Sequence, residues 1–194
     1  MTEIPLTALS PQIQEQVAKA RRVLNQGEIH YAAAICLSVL NRSPECLAVR
    51  ELLRQAQYQQ RGSVSKSSCL TDCLGFWQLI RARCYLRLNP RRALAVLEAY
   101  LMRYPYALVA HHLMGRAASA LGLWQTAVLA YQTIGRLKPD DTAHLLPLAQ
   151  AHLKADDPSA AITIGERLIE REPDNCAASE LLQRASVVLS IRRG

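Results

Sequence analysis

Four groups of side chains in this 194-residue chain have the types and spacing to do chemistry. Cys69 and Cys73 flank Leu70-Thr71-Asp72, and Cys84 follows, which raises a metal site. The spacing departs from the two-residue zinc knuckle and no histidine pair adjoins it, so these thiols read as small apolar fillers. His111 and His112 are neighbours on a helix, where adjacent rings point in different directions; His144 and His152 lie about two turns apart. Asp140-Asp141 and Asp156-Asp157 could in principle divide acid and base work. Both pairs fall where helices begin, and carboxylates there cap amides and suit the helix dipole. No nucleophile and base converge with any of these groups, so the sequence predicts no enzyme, no metal and no cofactor.

The fourth group is basic: Arg81, Arg83, Arg87, Arg91 and Arg92 form the densest charged run in a chain of formal net charge +7. An acidic protein, an anionic membrane face or nucleic acid would each feel that field. The plainest reading is a solvated basic edge along helices, because no ladder of aromatic residues alternates with the arginines to stack on bases. The start Met1-Thr2-Glu3-Ile4-Pro5 lacks the basic and apolar segments of a secretory signal, and no stretch is apolar enough to span a bilayer. With six cysteines best kept reduced, a cytoplasmic location is expected.

The elements that position these residues are helices. Half of the residues are hydrophobic and only one is Phe, a composition dominated by Ala and Leu that suits close helix packing and an all-α class. Pro105, Pro139 and Pro173 recur at an identical step of 34 residues. Counting back from Pro139 gives His111, Met114-Gly115, Ala118, Ala127 and Tyr131, with Gly122 at the turn. From Pro105 the same places hold Trp77, Ile80, Cys84, Ala93 and Leu97, and from Pro173 they hold Leu145, Leu148-Ala149, His152, Ala161 and Gly165. Trp77 and Trp124 therefore read as packing residues, and Cys84 as a buried one.

Asn89-Pro90 and Asp157-Pro158 are cap and first residue of second helices. Pro147 requires its helix to start late or bend. A weaker unit precedes Pro44, with Ser10-Pro11 at its start and Gly27 at its turn. The expected organisation is a helix pair over 1–44, an extra helix and Ser-rich loop over 45–71, three tandem units over 72–173, and a closing helix over 174–194 capped by Asp174.

These repeat positions resemble the tetratricopeptide repeat (TPR) family over about residues 10 to 192, apart from the interruption. The resemblance implies a right-handed superhelical solenoid of antiparallel helix pairs, whose first helices line a concave groove for extended or helical peptides. Carried onto this chain, the groove would include Val17, Arg21 and Leu24, then Gln78, Ala82 and Tyr85, then His112, Arg116 and Ser119, then Leu146, Gln150 and Leu153. The implied function is a non-enzymatic scaffold or adaptor that binds a protein or peptide partner. The family's heat-shock cochaperones use Lys and Asn where Val17 and Arg21 stand, which argues against that role. Rival readings are a bacterial chaperone for type III secretion translocators and a basic helical repeat that binds RNA. An open apolar face on the last helix would allow a homodimer.

Overall fold

A computed structural model describes residues 3–59 and 69–193, with side chains described outside 69–74 and 193. The expected 61–68 loop and the thiols of Cys69 and Cys73 lie outside the described residues. Among the described residues, ten α-helices follow a short 3-10 turn at Leu6–Ala8: α1 (Pro11–Asn25), α2 (Ile29–Arg42), α3 (Leu47–Gln59), α4 (Cys69–Leu88), α5 (Pro90–Arg103), α6 (Leu108–Leu121), α7 (Trp124–Leu137), α8 (Leu145–Lys154), α9 (Pro158–Arg171) and α10 (Cys176–Arg193). Local chemistry sets several of their ends. The Arg92 amide donates to Asn89 Oδ1 at 3.2 Å and the Ala160 amide to Asp157 Oδ1 at 3.1 Å, with proline next in each case. Gly27 and Gly122 turn the chain at φ 86° and 72°, the left-handed region glycine enters without a Cβ penalty. Pro147 sits in the first turn of α8, where its missing amide costs no helical bond. The last helix departs from expectation: Asn175, not Asp174, caps it, accepting from the Ala178 amide at 3.1 Å.

The chain divides into two compact units, Met1–Leu123 and Trp124–Gly194. In the first, α1 pairs with α2, α2 packs on α3, α4 pairs with α5, and α5 packs on α6. Arg50, Leu53, Arg54 and Gln57 of α3 stand 34 residues after Gln16, Lys19, Ala20 and Val23, and all four are buried. Helix α3 thus takes the repeat's next first-helix seat, beside α2. Three expectations are corrected as a result. Trp77, expected between helices, is 62 % exposed; Cys84, expected in a buried aromatic place, is exposed; and Ala82, expected on the groove, is fully buried. The face α4 turns to α5 is instead its small-residue side, where Gly75 lies so close to Tyr104 that a Cβ would meet the ring at 3.2 Å.

Burying α3 brings polar groups into the core, and they hold one another. Arg50 Nε donates to Glu98 Oε1 at 2.7 Å, and its Nη2 donates to the Pro44 carbonyl at 2.9 Å. Arg54 Nη1 donates to Gln57 Oε1 at 2.7 Å, and its Nη2 meets Met114 Sδ. Burial pulls the Arg54 guanidinium down to about 10. Around them lies an apolar cluster that includes Val17, Leu24, Val39, Leu53 and Ala56.

In the second unit α8 packs on α7 and α9, and α9 on α10. Its core gathers Leu145, Ala149, Ala161, Leu168, Leu181 and Ala185. Gly165 fills the repeat's large-residue place because Leu182 already occupies the space: an added Cβ would meet Leu182 Cδ2 at 2.8 Å. Among the described residues, no helix is long and apolar enough to cross a membrane.

Candidate functional site

The arginine run does not form one edge. Within the first unit, Arg83 and Arg87 are separated by one turn of α4 and line a cleft of about 490 Å³ with Arg116 of α6; Cys84, Leu86 and Ala120 complete its walls. Arg116 reaches it because His111, Met114 and Ala118 turn the opposite side of α6 into the core. All three guanidinium groups are exposed, and no carboxylate lines the cleft. Three fixed-fork cations around one hollow suit a ligand bearing several carboxylate or carbonyl oxygens.

Arg91 and Arg92 belong elsewhere. With Arg42 at the end of α2 they line a second cleft of about 370 Å³, whose inner wall is the buried Arg50 and Glu98 pair. Its field is partly offset, since Glu45 lies 4.0 Å from Arg91. Arg81 lies in neither cleft.

Of the residues placed on the groove by resemblance, Arg116 alone lines the α4–α6 cleft. Arg21 and Gln78 are exposed in the first unit, and Tyr85 and His112 are half-buried there. Val17 and Leu24, named with Arg21, are core residues instead. In the second unit Gln150 is exposed and Leu153 is half-buried against the cluster of Ala149 and Leu181. Sequence reasoning missed Cys84, Leu86 and Ala120 as cleft residues. The signal that could have found them is the repeat phase of α3, which frees α4 to turn another face inward.

His111, Cys36 and His144 are buried. His111 is wholly buried, its Nε2 2.8 Å from the Pro105 carbonyl, and burial together with the Arg54 charge holds it down at about 4. Burial pushes the Cys36 thiol up to about 12, which leaves it un-ionised and inert. His152 Nδ1 lies 3.3 Å from Asp157 Oδ2, and His144 is buried. Among the described residues, no three metal-binding side chains come together.

No protein-family model matches the sequence, and no curated protein does. Solved structures do. The first TPR domain of Spaghetti (RPAP3), bound to the HSP90 peptide SRMEEVD, aligns at a TM-score of 0.55 and 19 % identity, covering 60 % of this chain and 93 % of that one. A tetratricopeptide repeat protein from Parabacteroides merdae aligns at 0.52 and 15 % identity, over 93 % of this chain and 75 % of its own. YrrB, a TPR protein with an unusual peptide-binding site, aligns at 0.51 and 13 % identity, over 85 % and 89 %. The fold is therefore the all-α, TPR-like stacking of antiparallel helix pairs.

Proposed function

We propose that this protein is a non-enzymatic TPR-like interaction scaffold, and that its first unit captures an acidic peptide segment of a partner protein in the α4–α6 cleft. The observation that carries this reading is the convergence of Arg83, Arg87 and Arg116 on one hollow that no carboxylate lines. Their guanidinium groups form paired hydrogen bonds with carboxylates, while Leu86 and Ala120 supply an apolar contact for the segment's side chains. The peptide bound by the Spaghetti domain, SRMEEVD, is itself acidic, which agrees with this chemistry.

The test is affinity capture from native lysate by wild type beside an Arg83→Ala/Arg116→Ala variant, with eluates identified by mass spectrometry and repeated after nuclease treatment. A protein with an acidic segment that is retained by wild type and lost from the variant supports the cleft. Equal recovery by both forms removes it from the cleft. Recovery abolished by nuclease, with a steep fall in added salt, would replace the protein partner with RNA through counterion release.

A further inference from the structure

The outer face of α4 is unpartnered, and the chain itself shows what such a face receives. Trp77, Ile80, Arg81 and Cys84 stand 34 residues before His111, Met114, Gly115 and Ala118. On α6 those four positions are all buried, and Arg54 of another helix, α3, meets Met114 among them. On α4 they are open: Trp77, Arg81 and Cys84 are exposed and only Ile80 is half-buried. Leu88, one turn beyond Cys84, is 82 % exposed.

At about 100° per residue, Trp77, Cys84 and Leu88 fall along one side of the helix, with Arg81 on one flank and Arg87 on the other. No Asp or Glu occurs from Gly75 to Leu97. An exposed apolar ridge flanked by an arginine on each side has the make-up of a recognition surface, since tryptophan and arginine are the residue types that dominate binding energy at such surfaces.

We infer that this ridge docks an acidic amphipathic α-helix from a partner protein. The helical form follows from the equivalent face of α6, which helix α3 meets at Met114. The acidic character follows from Arg81 and Arg87, which would meet the flanks of any helix laid on Trp77, Cys84 and Leu88. The ridge shares Cys84 and Arg87 with the cleft lined by Arg116, but Trp77 and Leu88 lie outside that cleft, so substitutions at those two positions test the ridge apart from Arg116.

The test uses the full chain and three labelled peptides of about 18 residues, long enough to form helix on binding. One carries leucines on a single face flanked by glutamates, one has the same composition scrambled, and one has lysine in place of each glutamate. Fluorescence anisotropy should show the acidic amphipathic peptide binding at least about tenfold more tightly than either control. Trp77→Ser/Leu88→Ser, both exposed sites with circular dichroism as a check on folding, should weaken it about tenfold or more, and Arg116→Ala should leave it within about twofold. Failure of that peptide to bind wild type, equal binding of the scrambled peptide, or undiminished binding by the double variant overturns the inference. Loss in Arg116→Ala alone moves the acidic segment to the cleft and also overturns it. If the double variant instead abolishes a concentration-dependent dimer, or co-sedimentation with phosphatidylserine vesicles, while the peptide does not bind, the occupant is a second copy or a membrane and the inference falls.

Discussion

His111 stands in the leading aromatic place of its repeat but carries an ionisable ring, and that exchange makes the first unit acid-sensitive. A carbonyl only accepts, so the Nε2 atom 2.8 Å from the Pro105 oxygen must carry the ring's proton. A second proton would have to enter at the buried Nδ1, beside the Arg54 cation. Burial and that charge lower His111 from the ordinary 6.5 to about 4. The unfolded chain therefore takes up a proton first as pH falls. Stability is fully present above the ordinary value, declines as pH drops through the interval from 6.5 to about 4, and falls no further from this group below it.

A gap of that size corresponds to about 3 kcal/mol at ~1.4 kcal/mol per pH unit, of which about 2 kcal/mol is already lost at about pH 4.5. Urea unfolding followed by circular dichroism at about pH 7 and about pH 4.5 should show wild type losing about 2 kcal/mol more than His111→Phe. The phenylalanine restores an aromatic at the repeat position and gives up the Pro105 hydrogen bond, so its stability at neutral pH falls while its pH slope flattens. Glu172 and Asp141, held low by hydrogen bonds from the Thr142 hydroxyl and the Ala143 amide respectively, lose stability in both proteins and cancel in the difference. Equal slopes for the two proteins would refute the account of His111 as a ring kept neutral by its surroundings.

Four further outcomes follow from named contacts. Glu98→Gln should destabilise by about 3 kcal/mol or more in chemical denaturation, because Arg50 and Arg54 would then share the core without a counter-charge; a loss under about 1 kcal/mol would mean the pair is solvated. Asn175→Ala should lower stability by about 1 kcal/mol in thermal melts and Asp174→Ala should do almost nothing, since the cap belongs to Asn175. Gly135→Ala should destabilise by about 1–3 kcal/mol despite alanine's better helix propensity, because the new Cβ would lie 2.7 Å from Nε2 of the buried His144; a raised melting temperature would show that the ring can retreat. Trp77→Ala should cost less than about 0.5 kcal/mol, as expected at an exposed surface position, and a loss of about 3 kcal/mol would return the residue to the interior.

The repeat was legible because its constraints are local. A proline that ends a second helix, a cap before Pro90 or Pro158, and a glycine at a positive φ each act within a few residues, and a fixed step lets them reinforce one another. The seat taken by α3 was hidden for the opposite reason. Arg50, Arg54 and Gln57 fall at repeat positions that elsewhere hold His111, Gly115 and Ala118, and nothing near them in sequence explains how two arginines could be buried. Their partners come from afar: Glu98 lies 48 residues on and Met114 lies 60 residues beyond Arg54. Once those contacts place α3 beside α2, α4 is left to pack by Gly75 and Ala82, and Trp77, Ala82 and Cys84 exchange their expected faces. The arginine cleft, the exposed Trp77 and the buried Ala82 are thus consequences of one long-range substitution of helix for helix. A pattern of period 34 registers which residues are equivalent but not which equivalent helix wins the shared surface, and in this chain that competition decides where the arginine cleft and the exposed Trp77 lie.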